Sequence, residues 1–145
     1  MEKRFTNKVV IVTGGSQGIG LACAKRFQEE GATVCAVQRS KSKNFESYEF
    51  DLSKEQDCLK SIEMIVNKHH RIDVLVNNAG MIEEALIEDM TLDSWNQTIS
   101  LNLTAPFLMS KYAMPHLIKS VGSIVNIGSI EGLGANPKHA AYCAS

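Results

Sequence analysis

Apolar positions along this chain switch repeatedly between a strand period and a helix period. Val9-Val-Ile-Val-Thr13 is a continuous β-branched run, the pattern of a strand covered on both faces. A Gly-rich turn follows, and then an amphipathic stretch predicts a helix over about residues 19–30, ended by Gly31 just past its C-cap. Thr33-Val-Cys-Ala-Val37 predicts a second strand, residues 39–47 a polar loop, and Tyr48-Glu-Phe50 a short third strand ending at Asp51. Ser53 with Gln56 three positions on has the pattern of a capping box. The helix after it carries Leu59, Ile62, Ile65 and Val66 on one face. Asp73-Val-Leu-Val-Asn77 predicts a fourth strand. A helix capped by Thr91 begins near Leu92, and a longer one covers about 102–119, with Pro106 tolerated only near its start. Residues 122–128 predict a fifth strand.

Strands alternating with amphipathic helices predict an α/β fold with a parallel sheet. The fold expected is a Rossmann-like doubly wound sheet, with residues 1–145 as a single domain. Its fifth strand is apolar, and an apolar edge invites another strand to pair with it. The sheet is therefore expected to be incomplete on its C-terminal side, about five strands of a larger, truncated domain.

Composition narrows the function classes without choosing among them. Apolar residues make up 44% of the chain and the net charge is −1, as in an ordinary soluble protein. That balance argues against nucleic acid or an acidic membrane as partner. No apolar run approaches the roughly 20 residues that span a bilayer. The first eight residues lack the apolar core of a secretory signal, so a cytoplasmic location is expected. Cys23, Cys35, Cys58 and Cys143 have no C-x-x-C spacing and read as reduced core thiols. Cys143 has no neighbour that would activate it as a nucleophile. His69 and His70 close a helix, where a cation offsets the dipole, so no metal site is expected.

The candidate chemistry lies in the turns after the strands. Thr13-Gly-Gly-Ser-Gln-Gly-Ile-Gly20 joins the first strand to the first helix. Gly14 permits a tight turn, Gly18 lets backbone approach a pyrophosphate, and Gly20 allows helix and sheet to pack closely. Ser16, Gln17 and Ile19 complete that loop at a helix N-terminus, whose free N–H groups favour phosphates. At the end of the second strand no acid is present to bind a ribose 2′-hydroxyl; Arg39 stands there instead, near Lys41 and Lys43. An arginine fork suits a 2′-phosphate, which favours NADP(H) over NAD(H). Small residues in Asn77-Asn-Ala-Gly80 would let backbone lie against a cofactor, while the amides tie strand ends together. Asn102 is a polar residue between Leu101 and Leu103 at a helix start, where an N-cap is the plain alternative. Ser129 and Tyr142 lie just beyond the fifth strand.

These motifs, in this order and over essentially the whole chain, resemble the short-chain dehydrogenase/reductase family. The resemblance implies cofactor contacts from Gly14, Gly18 and Gly20, and from Asp51 and Leu52 beside the adenine. It also implies contacts from Asn78, Ala79 and Gly80, with Asn77 stabilising the sheet. Asn102 would be the catalytic Asn, whose neighbouring backbone holds a proton-relay water; Ser129 would hydrogen-bond the substrate oxygen, and Tyr142 would be the general acid/base. Gln17 stands where many NADP-preferring members carry a basic residue, which pulls against the Arg39 reading. The family pairs its Tyr with a Lys four positions on, and the chain stops at Ser145, one position short.

Hydride transfer between nicotinamide and a carbonyl or alcohol carbon is the activity implied, in a carbonyl or 3-oxoacyl-type reductase. Glu131, Leu133, Asn136 and His139 would border the substrate pocket. The family's habit of packing its long helix against a second copy implies a homodimer or homotetramer for the full-length form. Phe107, Leu108, Tyr112 and Leu117 could supply apolar surface there, although a core-facing stripe is the default reading of those positions. A rival reading makes the 145 residues a non-catalytic fragment or isoform that binds only dinucleotide or a partner subunit.

Overall fold

The computed structural model describes residues 3–145. Its strands are β1 (Val9–Thr13), β2 (Thr33–Gln38), β3 (Glu46–Glu49), β4 (Val74–Asn77) and β5 (Ser123–Asn126). They form one parallel sheet in the order β3-β2-β1-β4-β5. Successive residues of a strand face opposite ways, so β1 feeds two cores. Val9 and Ile11 join Cys35, Val37 and Leu75 under the helices α2 (Glu55–His69) and α4 (Ala105–Ser120). Val10 and Val12 join Val34, Ala36, Val74 and Val76 under α1 (Gly18–Glu29). The chain builds outward from β1 to β3, then returns to β4 on the other side of β1. That reversal opens a crevice at the C-terminal ends of β1 and β4, where doubly wound folds bind ligands.

Local chemistry explains the element ends. Gly31, at φ +95°, follows the C-cap of α1, and the N–H groups of Gly31 and Ala32 donate to the carbonyls of Gln28 and Phe27. The helix α3 (Leu92–Ile99) starts where Thr91 Oγ1 accepts from the Ser94 N–H at 3.1 Å, as its sequence predicts.

Four expectations are corrected. The third strand covers 46–49, because Glu46 and Ser47 pair with Cys35 and Ala36. The capping box does not form: Ser53 turns its hydroxyl to Asp51 Oδ1 at 2.7 Å, while the Asp57 carboxylate accepts the Asp51 N–H. In α2 Ile62, Ile65 and Val66 face the core as expected, but Leu59 is only half-buried, and Cys58 and Ser61 complete the buried face. The long helix begins at Ala105, not Asn102, because a π-helical turn over Ser100–Thr104 links it to α3. Pro106 has no N–H for the carbonyl of residue 102 and its ring crowds that oxygen, so a widened turn relieves the conflict.

On α4, Leu108 and Leu117 are buried in the core rather than offered to a second copy, and the Tyr112 hydroxyl donates to Glu55 at 2.6 Å. Phe107 remains exposed. Val125 of β5 sits beside Val76 on the α1 face, but α1 lies over β1 and β2, leaving Val125 43% exposed. No helix among the described residues is long and apolar enough to cross a membrane.

Candidate active site

The turn after β1 is shaped by how tightly it meets the segment after β4. Gly14 has φ +66°, and a Cβ there would stand 3.0 Å from Ala79 Cα. A Cβ on Gly20 would run into the Asn78 amide nitrogen and the Gly14 carbonyl oxygen. Gly18 differs: nothing lies within 4 Å of its Cβ position, so this side of the turn is open at the N-terminus of α1.

Amide and hydroxyl groups lock the strand ends together. Asn78 Nδ2 donates to the carbonyls of Thr13 and Gly14 at 3.0 and 3.1 Å. Thr13 Oγ1 accepts from the N–H groups of both Asn78 and Ala79 at 2.9 Å. Asn77 Nδ2 donates to Asn126 Oδ1 at 2.8 Å, joining β4 to β5. Thr13 is a positioning residue that the sequence reading passed over. Its only signal was a hydroxyl closing an otherwise apolar run.

Asn102 lies in the π-helical turn and is more than a cap. Its side-chain oxygen accepts the Met81 N–H and its amide donates to the Met81 carbonyl, both at 2.8 Å. A further donation reaches Ser145 Oγ at 3.0 Å. These bonds fix the chain leaving β4 against the start of α4. Ser129 precedes a 3₁₀ turn over Ile130–Gly132 and accepts the Glu131 N–H at 3.2 Å. Tyr142 belongs to the short helix α5 (Ala140–Cys143), its ring edge-on to His139.

A cleft of about 760 Å³ collects these residues. Ile19, Asn78, Ala79, Gly80, Asn102, Ser129 and Tyr142 all line it. Gly14, Ser16, Gln17, Gly18 and Gly20 do not; they form the adjoining turn. Arg39 is exposed beyond the end of β2. Asp51 is held below the usual carboxylate range, first by its hydrogen bonds from Ser53 and against some burial, with smaller pulls from Lys54 and Arg39. Leu52 has its side chain in the core under α2 and offers none to the crevice.

Of the four residues expected to border the pocket, none lines this cleft: Leu133 is exposed, and the other three gather together. Gly132 lines the cleft, and Glu131 gathers Asn136, His139 and Cys143 around its carboxylate. Hydrogen bonding from Asn136, more than from His139 or Cys143, holds Glu131 below the ordinary glutamate range. Glu131 therefore braces the loop that presents Ser129 and Tyr142.

Two buried acceptors at the crevice, Gln38 Oε1 and Asn77 Oδ1, have no hydrogen-bond partner among the described residues. Gln38 Oε1 lies 3.8 Å from the Cβ position of Gly15 on the phosphate-type turn. An unmet acceptor beside Gly15, on a turn whose Gly18 is open at a helix N-terminus, fits a ligand carrying both hydroxyls and phosphates, as a dinucleotide does.

A family model for short chain dehydrogenase matches residues 8–145. The chain belongs to the short-chain dehydrogenase family. This family consists of oxidoreductases that use NAD(P). Meso-2,3-butanediol dehydrogenase of Serratia marcescens is 35% identical over 98% of this chain and 61% of its own length. A 3-oxoacyl-acyl-carrier-protein reductase of Thermotoga maritima is 36% identical over 98% of this chain and 63% of its own. The ligand-free structure of Thermoplasma acidophilum aldohexose dehydrogenase superimposes with a TM-score of 0.94 at 35% identity, over 99% of this chain and 58% of that one. The chain thus spans about three fifths of the length of the curated relatives it matches.

Proposed function

We propose that the protein is an NADP(H)-preferring carbonyl or 3-oxoacyl-type reductase, with its reaction centre in the cleft between β4, β5 and α4. The observation that carries this reading is the meeting of Asn102, Ser129 and Tyr142 in one cleft with Ala79 and Gly80. A nicotinamide held against Ala79 and Gly80 would supply the hydride. Ser129 hydrogen-bonds the substrate oxygen, and Tyr142 donates a proton to it as negative charge develops. Asn102, tied to Met81, positions the cleft wall, and the backbone beside it holds a relay water. The Gly14–Gly20 turn and the N-terminus of α1 bind the pyrophosphate, and Asp51 meets the adenine. Arg39, exposed beyond β2, pairs with a 2′-phosphate.

Residues 1–145 form the dinucleotide-binding part of a longer domain on this reading. Further chain covers Val125 of β5 and Ile127 just past its end, which are 43% and 38% exposed. The functional assembly is a homodimer or homotetramer acting in the cytoplasm on a small carbonyl or alcohol. The test is oxidation of NADPH and NADH by the natural protein with a panel of 3-oxoacyl thioesters, diketones and aldoses. Turnover that is faster with NADPH supports the proposal. Saturable NADPH binding without turnover of any carbonyl favours the rival binding module instead, and the absence of both overturns the cofactor reading.

A further inference from the structure

At the opposite end of the sheet, three potential metal ligands converge from three elements. Cys35 of β2, Glu46 of β3 and His69 of α2 bring Sγ, a carboxylate oxygen and a ring nitrogen within 4.8 Å of one another. Cys35 and Glu46 are register partners across β2 and β3, and His69 is the last residue of α2. The cluster is organised. His69 Nε2 lies 3.1 Å from Glu46 Oε1, and the Tyr48 hydroxyl donates to the same oxygen. Lys68 Nζ stands 2.8 Å from that oxygen, on a side chain exposed enough to swing away. A shallow surface depression of about 550 Å³, lined by Glu46, Tyr48 and Lys68, reaches the Glu46 side of the cluster.

The geometry points to a Zn²⁺ site with Cys35, Glu46 and His69 as protein ligands and water in the fourth position. One sulfur, one imidazole and one carboxylate form a borderline-soft set that suits zinc and excludes the all-oxygen preference of calcium or magnesium. Binding breaks the Cys35 S–H bond, forms a sulfur–zinc bond and releases the proton to water, while Lys68 leaves Glu46. Tyr48 keeps its hydrogen bond and orients the carboxylate from the second layer. The bound ion staples β2, β3 and α2 together, far from the cleft, so it acts on stability rather than on chemistry. No short sequence spacing announces the site, because its ligands lie on three different elements.

Co²⁺ titration of the natural full-length protein tests this. The expected spectrum has a thiolate-to-cobalt charge-transfer band and the visible absorption of four-coordinate cobalt, saturating at one equivalent and displaced by Zn²⁺. C35S loses the charge-transfer band, whereas C23S and C143S keep it. H69Q, at a half-buried helix end, weakens Co²⁺ binding by more than about tenfold, since even second-layer partners cost that much. Zn²⁺ raises the melting temperature of wild type but not of H69Q. A charge-transfer band that persists in C35S, or wild-type protein with no saturable binding, overturns the proposal and leaves an ion-paired cluster only.

Discussion

Asp73 and Gln38 are both buried at strand ends, yet their surroundings are opposite. Asp73, at the N-terminal rim of the sheet, is 4% exposed. Its carboxylate accepts the Val9 N–H at 2.9 Å, Lys8 Nζ at 3.1 Å and the Arg71 fork at 2.7 and 2.6 Å. Gln38, at the C-terminal rim, donates to the Ser40 carbonyl while its oxygen accepts nothing from the described residues. Asn77 has the same imbalance, bonded through nitrogen and open at oxygen. Native structures satisfy most buried polar groups. One rim follows that rule to stabilise the sheet, and the other departs from it beside the turn and cleft where a ligand is proposed to bind.

The comparison breaks most visibly at Tyr142. Tyr142→Phe should lower the carbonyl-reduction rate by about 10²–10⁴-fold, the usual share of general acid–base catalysis. Thermal stability should be unchanged, and a melting curve beside a rate assay checks both. Gly20→Ala crosses between the rims, because its methyl would overlap backbone and the Asn78 amide. It should cost about 3 kcal/mol in denaturant unfolding, as overpacking does, and weaken cofactor binding as well.

Asp73→Asn sharpens the closed side. Burial pushes the Asp73 carboxyl up, but the Arg71 fork, the Val9 N–H and Lys8 together hold it below its ordinary value of 3.8. A depressed folded-state value means that its stabilisation is present above 3.8 and is lost as pH falls through the lower folded value. Unfolding at neutral pH should therefore show the variant weaker by about 2 kcal/mol, the scale of hydrogen bonds to a charged group. The difference from wild type should shrink in acid. Arg39→Ala is the mildest change. It should raise the NADPH dissociation constant by about tenfold, or ~1.4 kcal/mol, and leave NADH binding unaltered.

Much of the fold was legible because its signals are local. The β-branched run of β1, the Gly31 stop and the Thr91 cap each act over a few residues, and each appears where its pattern predicts. The candidate site was legible where glycine and amide motifs carry it, as at Gly14, Gly20 and Asn78. What escaped notice depends on partners far along the chain. Thr13 meets Asn78 and Ala79 across 65 and 66 residues, and Asp73 meets Val9 across 64. Glu131 was misread as a pocket residue because only folding reveals that Asn136, His139 and Cys143 converge on it. The π-helical turn at Asn102 arises from a conflict with Pro106, which a periodicity reading treats as a simple helix start.

The separation of the rims is tested most directly by the NADPH dissociation constant of the natural protein, measured by calorimetry for wild type and Asp73→Asn. Saturable binding of equal strength in both, despite the lower melting temperature of the variant, is the predicted result. Binding that weakens in step with stability, or no saturable binding in wild type, would contradict a C-terminal rim left open for a dinucleotide.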